Sequence, residues 1–253
     1  RLKPAATRSN YNYFRMIGKI MWKTNAAKIS GYMVTLLGLL SVIGWALAID
    51  WLKILSSRMA IHVGHMEFLA AICFVLAGIM LVLSAKIVTD EDRFGIIEIL
   101  LPIFSLLILL VMSTLLFSVI IDIDYHITGE VIEEVMMQPI MGMGIGAMTG
   151  SVGLTFPPVV TMLSFVLISL SGLFMIIDFQ SKERVLLLIS WFVMIIGVFA
   201  LIGHIINYPM MYYHYDLFGR SFPPMAADAA LLFVIWGLGM IFCLGDRNAQ
   251  HSN

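Results

Sequence analysis

Residues 222–242 read FPPMAADAALLFVIWGLGMIF. After Pro224 the run stays apolar for about 20 residues, the length a helix needs to cross a hydrocarbon core. Its one ionisable group, Asp228, stands near the start. The stretch decides the fold because it recurs. Residues 65–74, HMEFLAAICF, match residues 224–233, PMAADAALLF, in register: Met66 with Met225, the pair Ala70 and Ala71 with Ala229 and Ala230, and Phe74 with Phe233. A weaker copy, FPPVVTMLSFVLISLSG from Phe156, puts Phe165 at the Phe position, and its own Phe-Pro-Pro repeats that at Phe222. Such self-similarity is the mark of an internal repeat.

Working outward, six segments are apolar enough to span: roughly 31–50, 66–86, 96–121, 154–177, 185–206 and 225–244. None alternates every second residue as a barrel strand does. The segments that precede each copy agree more loosely, LLSVIGWALAID from Leu39 with IIGVFALIGHII from Ile195. Each unit then consists of one helix, a loop and a return helix that opens with Pro or small residues. The predicted fold is all-α: a polytopic membrane protein of six transmembrane helices arranged as three repeated hairpins. Small residues such as Gly78, Ser169, Gly172, Gly237 and Gly239 allow the close backbone approach that membrane helices use to associate.

Composition agrees. Of 253 residues 60% are hydrophobic and 12% charged, with a net charge of −1 and a mean hydropathy of +0.97, whereas soluble domains carry about 25% charged residues. A soluble fold is excluded, and the near-zero net charge suggests no nucleic-acid partner. Cys73 and Cys243 fall inside apolar runs without metal-type spacing and are expected as small core residues.

Twelve of the fifteen Lys and Arg residues lie in residues 1–30, in the two short connections or at Arg247. By the positive-inside rule both termini are expected in the cytoplasm, with the chain in the inner (plasma) membrane. Residues 1–30 form a basic amphipathic segment expected to dock on anionic lipid, with an acidic partner protein as the alternative. Residues 31–245 form the membrane domain and 246–253 a cytoplasmic tail. Within the domain, the extracytoplasmic loop 122–153 is rich in Met and Gly. It carries Asp122, Asp124, Glu130, Glu133 and Glu134 without a basic residue, and a short helix is expected over 129–138.

The pattern carried by Met225, Asp228, Ala230, Leu231, Phe233, Gly237 and Gly239 resembles the membrane-embedded N-terminal sensory regions of prokaryotic histidine kinases and PAS-type signalling proteins. In that family such hairpins precede a cytoplasmic transmitter. Here RNAQHSN follows Asp246, so the resemblance implies a sensory membrane module without the transmitter.

Three groups of residues are candidates for chemistry. Asp228 is ionisable within a span, but its place in the first helical turn favours capping of free N–H groups over ligand or proton chemistry. His204 has no second histidine at ligand spacing, so a satisfied core or interfacial role is expected rather than haem. A third set comprises His62, His65, His126 and His214 with Met141, Met143 and neighbouring methionines; imidazole and thioether suit copper, against the bland role of Met as a gap filler. No other cofactor is expected. Neither a P-loop nor a hydrolase or kinase signature is found.

The leading expectation is a non-enzymatic sensory or ligand-binding module. It takes an apolar or membrane-dissolved molecule in a cleft lined by His204, Asp228, Glu67, Tyr212 and Tyr213. The alternative is an accessory subunit of a larger respiratory or photosynthetic membrane complex, with signalling or membrane subunits as partners. Transport ranks last, because no charge lies at the midplane, although Pro102 is expected to interrupt the third span.

Overall fold

The computed structural model describes residues 6–47, 66–89, 95–133, 157–213, 216–217, 220–221 and 223–245. They form six long helices: α1 (Ala6–Ala46), α2 (Phe68–Thr89), α3 (Ile96–Glu133), α4 (Val159–Ile176), α5 (Lys182–Ile206) and α6 (Ala227–Leu244). A 3₁₀ turn (Pro209–Tyr212) and a two-residue antiparallel ladder, Asp216–Leu217 with Arg220–Ser221, join α5 to α6. All six helices contain a stretch long and apolar enough to cross a membrane. The chain is therefore an all-α, multi-pass membrane protein in contact with the lipid bilayer.

Helices that follow one another pack as pairs, α1 with α2, α3 with α4 and α5 with α6. The pairs close into a ring, since α1 also packs on α6, α2 on α3 and α4 on α5. Within it α2, α4 and α6 are the more buried and α1, α3 and α5 the more exposed. The apolar stretches on α2 and α6 are apolar all round, so periodicity cannot say which face turns inward. Small residues decide it, as lipid offers no hydrophobic drive for association.

A methyl group built on Gly78 of α2 would come within 2.6 Å of Thr35 N and 2.7 Å of the Gly31 carbonyl of α1. One on Gly237 of α6 would meet Met194 Cβ at 2.8 Å and the Ser190 carbonyl of α5 at 2.9 Å. One turn of contact further on, Gly38 lies against Ala71 and Val75, and Gly197 against Ala230 and Val234. The two hairpins thus meet through corresponding residues, at the spacing that separates Phe74 from Phe233. This register pairs Gly38 with Gly197, just under one helical turn from the alignment of Leu39 with Ile195 read from the sequence.

The inner helices converge on three aromatic rings. Phe74 lies 4.7 Å from Phe165 and 4.8 Å from Phe233, and Phe165 lies 5.3 Å from Phe233, with the planes steeply inclined. These are the rings aligned in the sequence. Deeper in the bundle the indole N–H of the buried Trp236 donates to the Ala77 carbonyl at 3.2 Å, tying α6 to α2. Cys73 and Cys243 are buried and free.

Three features differ from the expectations. α1 is continuous through position 30, and its membrane-length stretch begins at Trp22; Thr24 and Ala27 are buried, Trp22 packs edge-on to Phe242 at 6.0 Å, and Lys23 Nζ donates to the Gly245 carbonyl at 3.1 Å, at the end of α6. α3 runs unbroken through Pro102; that ring lies in the second turn, where its missing N–H removes one backbone bond, to the Glu98 carbonyl, without ending the helix. α3 also continues to Glu133, so no separate helix begins at 129.

Gly78→Ala and Gly237→Ala each force backbones apart and should cost roughly 1–3 kcal/mol, seen as a lower thermal unfolding midpoint in detergent. Gly95→Ala, with open space around its position, should leave the midpoint unchanged.

Candidate functional site

The inner helices start at matching places. Glu67, Pro158 and Ala226 each accept the first backbone bond of their helix, from Ala71, Met162 and Ala230, at 3.0 Å in every case. Each stands seven residues before its Phe, two turns along the same face. Three helix N-termini therefore converge at one end of the bundle, above the aromatic triad.

The carbonyls just before them are held by side chains from the outer helices. Trp45 Nε1 of α1 donates to the Met66 carbonyl at 2.8 Å. In the third hairpin the corresponding bond comes from His204 Nε2 of α5, 2.8 Å from the Met225 carbonyl. A carbonyl only accepts, so Nε2 carries the proton, and Nδ1 is the acceptor of the neutral ring. Nδ1 is buried and has no hydrogen-bond partner among the described residues.

The local chain path puts His204 there. Asn207 ends α5 in the left-handed region at φ 57°, which turns the chain back on the helix. Gly203 makes room: a methyl group on it would lie 2.9 Å from Met211 C. Tyr212 then stacks on His204, with centroids 4.7 Å apart and planes within 1°, and its carbonyl accepts from the Met225 N–H at 2.9 Å. Tyr213 turns elsewhere. Its hydroxyl donates to the Ile196 carbonyl at 3.4 Å and its ring faces Phe199.

Asp228 sits in the first turn of α6, half-buried, where its Oδ1 accepts from the Ala229 N–H at 3.0 Å. This is the geometry of an acid placed against a helix N-terminus. Glu67 is a different case. It is 8% exposed, one residue before the membrane-length stretch that begins at Phe68. No basic side chain pairs with it among the described residues. Burial pushes its carboxyl up from 4.5 to about 7; a bond to its own backbone N–H opposes the rise, and the charge of Asp228 adds to it.

Of the residues expected to line a cleft, His204, Tyr212, Asp228 and Glu67 gather at this end, and Tyr213 packs away from His204. His62, His65, His214, Met141 and Met143 lie outside the described residues, as does the side chain of His126 on α3. Among the described residues no three His, Cys, Asp or Glu side chains group as metal ligands. Two participants went unnoticed in the sequence. One is Trp45. The other is Thr161 in the first turn of α4, 1% exposed, whose Oγ1 has no hydrogen-bond partner among the described residues. The signal was available, since Thr161 takes the place of the first Ala of the repeated Ala pair.

The chain matches no protein-family model, no curated protein and no solved structure.

Because the folded carboxyl of Glu67 titrates at about 7 rather than 4.5, its contribution is fully favourable below pH 4.5 and is lost as pH rises through 7. The loss is on the order of 3 kcal/mol. Glu67→Gln should flatten that part of the stability profile between pH 4.5 and 7.5, measured by thermal unfolding of wild type and variant in parallel.

Proposed function

We propose that this chain is a non-enzymatic ligand-binding or sensory membrane module whose site is the Glu67 end of the bundle. Glu67 carries the reading. A buried carboxyl with no basic partner among the described residues costs stability, and such a cost is a reason to look for function where the group sits. The two unpartnered polar atoms nearby, His204 Nδ1 and Thr161 Oγ1, give a ligand further points of attachment. In this proposal the termini are cytoplasmic, the site opens on the outer leaflet, and a bound molecule shifts the inner helices that all begin at the site. The three hairpins are read as copies of one unit. The recurring glycine contacts of the first and third hairpins support this, as does the meeting of Phe74, Phe165 and Phe233.

The test is native mass spectrometry of protein taken directly from membranes. Wild type should retain a small molecule that Glu67→Gln and His204→Ala lose. A wild-type protein that carries nothing, and that melts like both variants in membrane extract, contradicts the proposal.

A second reading, an accessory subunit of a larger membrane complex, is favoured by α3. It is the least buried of the six spans, with Ile103, Leu106, Leu107, Leu110 and Phe117 exposed. Under that reading Leu110→Trp disrupts a native complex seen on blue-native gels; under the first it has no effect there.

A further inference from the structure

Towards the end of the bundle opposite Glu67, α1 and α2 lie in direct backbone contact. A methyl group on Gly31 of α1 would stand 2.7 Å from Val82 Cγ2 and 3.1 Å from Val82 N of α2. The helices run antiparallel, so the residues one turn nearer this end are Lys28 on α1 and Lys86 on α2. Their levels differ by only about 1.5 Å along the axes. Because each Cα–Cβ bond tilts towards the N-terminus of its own helix, the two side chains start out towards each other's level. They also share one side of the seam. At about 100° per residue, Lys28 stands roughly 60° from Gly31 in one sense and Ser30 about 100° in the other. Likewise Lys86 stands roughly 40° from Val82, with Leu81 about 100° the opposite way. α6 occupies the Ser30 and Leu81 side, where a methyl group on Gly239 would come within 2.7 Å of both. Lys28 and Lys86 therefore line the outward groove between α1 and α2, which faces lipid. Lys23 belongs to the other side, where the Gly245 carbonyl holds it.

Both groove lysines fall inside membrane-length stretches. Lys86 is exposed and Lys28 half-buried, and neither makes a hydrogen bond or ion pair among the described residues. One turn deeper on the same side the groove is apolar, with Tyr32 58% exposed and Ile79 half-buried. At the spacing that relates Gly38 to Gly197 and Gly78 to Gly237, the third hairpin has Leu187 and Gly245 in place of the two lysines. The packing of a hairpin thus does not call for them.

We infer that Lys28 and Lys86 clamp the phosphate of an anionic phospholipid whose acyl chain lies along Tyr32 and Ile79. Two like charges on neighbouring apolar stretches repel each other and are costly next to hydrocarbon. A phosphate between them offsets both effects, since ammonium groups bind phosphate as point charges. Basic residues between membrane helices recognise lipid head groups by this chemistry. A lipid fits better than a free anion because the groove opens sideways to the bilayer and continues as an apolar wall. Asp90, Glu91 and Asp92, which follow α2 in the chain, lie outside the described residues; neutralisation of the lysines by these acids would abolish the lipid effect described next. The clamp is independent of the ligand site at the Glu67 end.

The test is thermal unfolding of the full chain in neutral detergent at constant ionic strength. Dioleoylphosphatidylglycerol is added, with dioleoylphosphatidylcholine as the control of equal chains and inorganic phosphate as the free anion. A saturating rise in the midpoint of roughly 2–5 °C is expected with phosphatidylglycerol alone. It is absent when Lys28→Gln and Lys86→Gln are combined, and kept when Arg184→Gln and Arg247→Gln remove as much charge elsewhere. Should the double lysine variant fail to fold, Lys86→Gln alone, at an exposed position, carries the comparison with a smaller rise than wild type. No rise with phosphatidylglycerol, an equal rise with phosphatidylcholine, or a rise that survives undiminished in the lysine variants overturns the clamp. An equal rise with inorganic phosphate overturns the lipid as its occupant.

Discussion

Phe74, Phe165 and Phe233 meet where α2, α4 and α6 pack together, and they tie the three most buried spans to one another. Inclined aromatic pairs contribute roughly 0.5–1.5 kcal/mol each beyond simple burial. That matters more in lipid than in water, because moving an apolar side chain from lipid to a protein interior gains little. The rings hold α2, α4 and α6 together. The outer helices then attach through glycine contacts on their flanks, at Gly31, Gly38 and Gly78 in one hairpin and at Gly197 and Gly237 in another.

Once the rings are fixed, the helix starts are fixed with them. Glu67, Pro158 and Ala226 all stand two turns from their Phe, so three N-termini arrive together. Their preceding carbonyls are tied outward by Trp45 and His204. The same packing that stabilises the centre of the membrane domain thereby builds a polar end with small residues beneath it. Glu67 is an acid at the start of α2, where the residues that accept the first backbone bond of α4 and α6 are Pro158 and Ala226. Among the described residues no basic side chain offsets its burial.

Much of this was legible in the sequence. Hydropathy alone located the six spans, and the alignment of Phe74, Phe165 and Phe233 named the residues that meet at the centre. Glu67, His204, Asp228 and Tyr212 were identified as candidates from their chemistry and depth. The register of the outer helices was not legible, because Leu39 and Ile195 lie in runs where nearly every residue is apolar and an alignment can slip by a turn at little cost. The glycine contacts put Gly38 and Gly197 in equivalent surroundings, against Ala71 and Val75 and against Ala230 and Val234. The continuity of α1 was hidden by its basic residues, which marked 1–30 as a surface segment although Thr24 and Ala27 pack inside. Thr161 was passed over because a lone hydroxyl in an apolar helix normally bonds to its own backbone, as the five serines do. Only the structure shows that it does not.

The account depends on Glu67 lying in a water-poor place among three helix ends. Infrared difference spectroscopy of the protein in lipid, with Glu67→Gln as reference, reads that carboxyl directly. A protonated carboxyl band that belongs to Glu67 and disappears with a midpoint near pH 7 is the result the structure predicts. A midpoint near the ordinary value of 4.5 would place Glu67 in water and contradict the account.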